Sequence, residues 1–156
     1  GQKRLRSSKV PRRALGSEYG TWSGGVPAPE DVSGPPAGAE VSGSGLASIV
    51  LERPAHPGER PCADDTVTVD YTGWTTDGQM FDSSLPGGDR ATFMLKNVIE
   101  GWTEGLQLMT PGEKRRFWVP EGLAYRGLKG YPAGMLVFDI ELHSFQTKPR
   151  PPKVPK

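Results

Sequence analysis

The chain has 156 residues, of which 35% are hydrophobic, 21 are glycine and 16 proline, with a formal net charge of +1. No apolar run approaches the ~20 residues needed to cross a bilayer as a helix. A single cysteine, Cys62, excludes an intrachain disulfide and a thiolate metal site. The near-neutral total hides a segregation: residues 1–13 and 148–156 carry ten of the 19 basic side chains and no acid, so residues 14–147 hold nine basic against 18 acidic residues, a net of −9. Basic arms on an acidic body predict attachment to an anionic surface, whether protein, RNA or lipid headgroup.

In chain order, residues 1–17 are basic and acid-free, the composition of the end of an organellar transit sequence (mitochondrion or chloroplast). A basic binding arm on a bacterial cytoplasmic or periplasmic protein would read the same way. Residues 18–45 are rich in Gly, Pro, Ser and Ala and read as a linker unable to fold alone, with Tyr19 and Trp22 as lone aromatic anchors. The expected organisation is therefore an N-terminal arm over 1–45, a folded domain over 46–147 and a proline-rich tail over 148–156. Leu46–Glu52 predicts a first strand. Val67, Val69 and Tyr71 alternate with polar residues over Thr66–Thr72, the pattern of a half-buried strand. Asp77-Gly78 predicts a hairpin that returns through Met80–Asp82. Thr92–Leu95, Lys114–Val119 and Leu136–Phe145 read as further strands. Between them Ile99, Trp102, Leu106 and Met109 recur at the spacing of one helix face. Gly101 and Gly105 weaken that helix by about 1 kcal/mol each relative to Ala, which predicts close approach to the sheet. The fold class is α+β: a twisted antiparallel sheet wrapped around one short helix.

The usual catalytic sets are missing. His56 and His143 lie in unrelated surroundings and read as surface residues, and no phosphate loop or paired carboxylates stand out. Instead the order and spacing of five segments are informative: Val69–Trp74, Asp77–Ser84, Val98–Gly105, Pro111–Arg115 and Leu136–Leu142. This series closely resembles the FKBP family of peptidyl-prolyl cis/trans isomerases, the rapamycin-binding immunophilins, over roughly residues 46–145.

The resemblance implies isomerisation of X–Pro bonds in proline-containing polypeptides, with no cofactor and no metal. It implies a shallow apolar pocket with Trp102 as its floor and Tyr71, Phe81, Val98, Ile99 and Phe138 as its walls. Tyr125 and Asp82 would line the rim, with Asp82 beside the Tyr71 hydroxyl, and the Ile99 N–H would meet a substrate carbonyl. Three positions depart from the family pattern. Ala91 replaces an aromatic wall, and Gly87 stands where an arginine usually pairs the aspartate, with Arg90 as the nearest substitute. The loop from Arg126 to Met135 is short, leaving Tyr131 and Met135 as stand-ins. A more open rim predicts weak macrolide binding. Two functional readings are consistent with this: an active isomerase and folding helper, tethered to a large assembly through residues 1–45, or a non-catalytic architectural subunit using the domain as a docking module. Nucleic-acid binding is disfavoured, because the basic arms lack interleaved aromatics and an RNA-binding fold.

Overall fold

The computed structural model describes residues 25–85 and 89–147. The basic arm 1–17, Tyr19, Trp22, Gly87 and the tail 148–156 lie outside the described residues. Alternating apolar side chains over Thr66–Thr75 produce the central strand β3. Before it in the chain come β1 (Glu40–Val41) and β2 (Ala47–Glu52); after it come β4 (Met80–Ser83), β5 (Ala91–Met94), β6 (Lys114–Val119) and β7 (Leu136–Gln146). All pair antiparallel in one sheet of order β1-β2-β6-β7-β3-β4. Strand β3 pairs with β7 along one edge. Its other edge is divided, Thr66–Val69 facing β5 and Thr72–Trp74 facing β4. The helix α1 (Glu100–Leu106) and 3-10 turns at Leu95–Asn97 and Glu121–Leu123 complete the described elements. Among the described residues no helix is long and apolar enough to cross a membrane.

The seven residues of α1 are too few to hold a helix by propensity, so packing must do it. Ile99, Trp102, Leu106 and Met109 are at most 2% exposed, on the concave side of the sheet with Phe117, Val119, Phe138, Ile140 and Leu142. The two glycines are required there. A Cβ on Gly101 would stand 2.4 Å from Val119 Cγ1, and one on Gly105 would stand 2.6 Å from Phe117 Cε1. Alanine would return about 1 kcal/mol of helix propensity, but overpacking costs typically 1–3 kcal/mol. Close approach wins.

The opposite face of the sheet is not bare. Alternation in β6 and β7 puts Trp118 and Val137 there, beside Ala47 and Trp74 in a second apolar cluster. Val26, Ala28, Val32 and Ala39 cover it. The Trp74 indole N–H donates to the Val26 carbonyl at 3.0 Å, and the Trp118 indole N–H to the Asp31 carbonyl at 2.9 Å. Arg116 grips Asp139 through two bonds of 2.6 and 2.9 Å and reaches Asp31 at 3.2 Å. The bonds to Asp139 outweigh desolvation, so its guanidinium is held even more firmly protonated than usual.

Packing therefore begins well before residue 46, and the segment from residue 25 is a strap rather than a linker. Its composition lacks the apolar area for a core of its own. Here the sheet supplies that area, and indole donors recognise backbone carbonyls that any sequence would carry. Met135 belongs to this outer cluster too. It precedes Leu136 and so points to the opposite face; the expectation that it stands in at the pocket is corrected.

Candidate active site

Besides Phe117 of β6, four strands and the helix bring to the concave side the rings of one cluster. Trp102 of α1 stands at the centre. Tyr71 of β3 meets it edge-on, with centroids 5.1 Å apart and planes at 79°. Phe93 of β5 does so at 5.3 Å and 89°, and Phe138 of β7 at 5.4 Å and 85°. Phe81 of β4 packs edge-on against Phe138 at 5.5 Å and 87°. Such pairs contribute about 0.5–1.5 kcal/mol each beyond burial, which fixes the rings in one arrangement. The Trp102 Nε1 is buried with no hydrogen-bond partner among the described residues. Val98 is buried just ahead of Ile99, which is the N-cap of α1. The Ile99 carbonyl accepts from Trp102 and Thr103 N–H at 3.0 and 3.1 Å, while its own N–H precedes the first helical hydrogen bond.

Two residues essential to this arrangement have no role in the sequence-based expectations. Phe93 contacts both Tyr71 and Trp102. Gly73 lies where Phe81 and Phe138 converge: a Cβ there would be 2.6 Å from Phe81 Cζ and 2.8 Å from Phe138 Cε1. An isolated glycine inside an alternating strand was the available signal.

Beside the rings is a fully buried carboxylate. The Tyr71 hydroxyl donates to Asp82 Oδ2 at 2.5 Å, the contact the family pattern implies, and the Ser83 N–H donates to Oδ1 at 2.8 Å. The Ser83 hydroxyl lies 2.8 Å from that of Thr72 and donates to the Tyr71 carbonyl at 3.1 Å. Ser84 accepts the Tyr71 N–H at 2.9 Å and donates to Asp70 Oδ1 at 2.8 Å. Tyr71 is thus held at three points, and the Asp-Ser-Ser run is what holds it.

Asp70 continues the network outward to His143, whose Nε2 lies 2.8 Å from Oδ2. His143 is therefore a part-buried partner rather than the bare surface residue its sequence context suggests, whereas His56 is exposed. Burial pushes the Asp70 carboxyl up, but hydrogen bonds from Ser84 and His143, with the charges of His143 and Arg90, together hold it below its ordinary value of 3.8. A depressed carboxyl stabilises the fold fully above its unfolded pKa, and that contribution is lost as pH falls through the folded value. Asp70→Asn is accordingly expected to lower the melting temperature near pH 7, with the gap to wild type closing on acidification below the ordinary carboxylate range. Thermal melts between neutral and strongly acidic pH check this; a gap that widens in acid would refute it.

At the level of families, residues 58–143 match the FKBP-type peptidyl-prolyl cis-trans isomerase domain. The chain belongs to the FKBP family. The FKBP-type peptidyl-prolyl cis-trans isomerase FkpA of Aeromonas hydrophila is 53% identical over 88 residues, which cover 54% of this chain and 33% of that protein. The crystal structure of FkpA from Escherichia coli is 40% identical with a TM-score of 0.66, over 73% of this chain and 54% of that one. A peptidyl-prolyl cis-trans isomerase from Pseudomonas syringae gives 34% and 0.64, over 72% and 84%. The chain spans between a third and about half of the length of the curated relatives it matches.

Tyr125 is buried and stacks on Tyr131 with centroids 4.7 Å apart and planes at 18°. Ala91 is half-buried at the edge of the concave core. Arg90 acts on Asp70, outside the ring cluster. A groove of about 480 Å³ separates Lys96–Glu100 from Ala124, Tyr125, Arg126 and Leu128. Arg126, whose φ of 56° is rare for a non-glycine residue, spans it by an ion pair with Glu100. Among the described residues no three His, Cys, Asp or Glu side chains are grouped to hold a metal ion.

Proposed function

We propose that the chain is a peptidyl-prolyl cis/trans isomerase that takes the proline ring of an extended polypeptide onto Trp102, between Tyr71, Phe81 and Phe138. The observation that carries this reading is the edge-on ring cluster with the buried Tyr71–Asp82 pair at its side. Rotation about an X–Pro bond is slow because the amide must lose its resonance, behind a barrier of ~20 kcal/mol. At the half-rotated stage nitrogen and carbonyl are uncoupled and the group is less polar. A dry aromatic surface favours that stage over the planar, well-hydrated amide, and needs no nucleophile. A hundredfold acceleration requires about 2.7 kcal/mol of such preference. Val98 and Ile99 place the substrate chain, with the Ile99 N–H donating to a substrate carbonyl, and Tyr125 with Tyr131 closes the far side. Asp82, oriented by Tyr71 and Ser83, turns its carboxyl toward the rotating amide.

Exchange spectroscopy on a proline-containing tetrapeptide tests the reading. The full chain is expected to raise the cis/trans exchange rate well above the uncatalysed one; equality of the two rates with folded protein would overturn it. The architectural alternative draws support from charge segregation. With residues 25–41 engaged by the sheet, attachment to an assembly falls to the basic residues ahead of the strap. The shortened rim loop supports weak rather than tight macrolide binding.

A further inference from the structure

The divided edge of β3 has a gap. Strand β5 pairs with it only as far as Val69, and β4 takes over only at Thr72. Asp70 and Tyr71 lie in the gap, where Ser84, one residue past the end of β4, does the holding. Its hydroxyl accepts the Tyr71 N–H at 2.9 Å, and its own N–H donates to the Tyr71 carbonyl at 2.9 Å. The ring that meets Trp102 edge-on is therefore placed by a side chain as well as by the sheet.

Ser84 is in turn held from the outer face. It donates to Asp70 Oδ1 at 2.8 Å, and Asp70 Oδ2 lies 2.8 Å from His143 Nε2. A bulge delivers the histidine: Thr68 faces Ser144 and Val69 faces Leu142, so His143 is the extra residue of β7. The insertion lets Leu142 and Phe145 both join the concave core. As bulges do, it re-aims the extra side chain, here onto Asp70. The charged groups around the ring are few. Asp70, Glu141 and Lys114 line one small hollow on that face, and Arg90 acts on Asp70 from the segment before β5. Glu113, whose backbone bonds that of Leu142, turns its carboxylate to Arg115 at 2.7 Å instead. Histidine is the side chain that changes charge between about pH 5 and 8, whereas the Asp70 carboxyl, held below its ordinary value, stays ionised across that window. A neutral imidazole divides one proton between two nitrogens. A protonated one donates from both and makes the stronger, charge-assisted bond.

We propose that His143 is a positioning residue for Tyr71: through Asp70 and Ser84 it sets how firmly Tyr71 is held against Trp102 and Asp82, so that loss of the imidazolium proton loosens the site and slows the isomerase. This rests on the isomerase reading above. The His143 and Asp70 side chains are only 16% and 21% exposed, so salt screens the pair less than it would one at the open surface.

The test is the pH profile of kcat/KM for the full chain, on a proline tetrapeptide blocked at both ends and free of titrating side chains. Wild type is expected to fall by about threefold as pH rises from about 5 to 8, when a bond of roughly half the strength replaces the charge-assisted one. His143→Gln, neutral at every pH, should give a flat profile. Ser84→Ala should be flat as well, although its His143 still titrates, because the link to Tyr71 is cut. His56 is exposed and away from the network, so His56→Gln should keep the wild-type fall. In wild type the Tyr71 N–H resonance should shift with the same midpoint as the His143 ring, a readout that needs neither substrate nor variant. A flat wild-type profile would overturn the inference, as would a fall that survives in His143→Gln. A fall that survives in Ser84→Ala would do so too, assigning the effect to the charge of His143 acting directly. Absence of acceleration at every pH would defeat the isomerase reading itself. The resonance then still decides the coupling, and a Tyr71 N–H indifferent to the titration of His143 overturns it.

Discussion

Phe81→Ala is expected to abolish most of the isomerase acceleration, lowering kcat/KM by tenfold or more, which corresponds to about 1.4 kcal/mol of lost transition-state preference. Phe81 is 7% exposed, at the margin of the cluster, edge-on to Phe138 and tight against Gly73. It therefore offers apolar surface to a half-rotated amide while contributing less to the centre of the core than Trp102. Truncating a buried phenylalanine also costs about 3–5 kcal/mol of stability, so Phe81→Leu is the necessary companion. Leucine keeps much of the volume at a cost typically under 1.5 kcal/mol, and the loss of rate should persist in that folded protein. Exchange spectroscopy at matched folded fractions separates the two effects; a Leu variant with wild-type kcat/KM would remove Phe81 from the mechanism.

Trp118→Ala is expected to destabilise the protein by about 3–5 kcal/mol and to leave the rate per folded molecule unchanged. Trp118 is fully buried, but on the outer face, where its indole holds the strap at Asp31. Trp118→Phe keeps most of the apolar contact and forfeits the one hydrogen bond, a cost of about 1 kcal/mol. Urea unfolding of both variants measures the ladder. Near-equal stability of wild type and Trp118→Ala would mean that the strap and the indole beneath it contribute nothing. Together the two substitutions separate the two faces of one sheet, the proposed catalytic face and the face that holds the chain covering it.

The strap shows where composition misleads. Its residues lack the apolar area to fold alone, and that judgement is correct for an isolated segment. A segment that borrows its apolar surface from Trp74 and Trp118, and is recognised through its carbonyls, leaves no pattern of its own. Met135 shows a related difficulty. Its place in the loop is compatible with the rim, and only the start of β7 at Leu136 determines which face it joins. His143 and Asp70 stand 73 residues apart in sequence, and nothing short of strand pairing announces their contact.

Much else was legible from local pattern alone. Alternation and the Asp77-Gly78 turn identified every described strand except β1, which lies in the stretch read as linker; the spacing of Ile99, Trp102, Leu106 and Met109 identified the helix, and two glycines in that helix announced its distance from the sheet. The order of five motifs named the family and, through it, the Tyr71–Asp82 contact. These are short-range properties, in which each residue's chemistry bears on neighbours a few positions away. What tertiary structure alone decided was long-range: which rings meet edge-on around Trp102, why Gly73 must lack a side chain, and which stretch of chain covers the outer tryptophans. Those outcomes depend on the pairing and twist of whole strands, because only the assembled sheet brings residues so distant in sequence within contact.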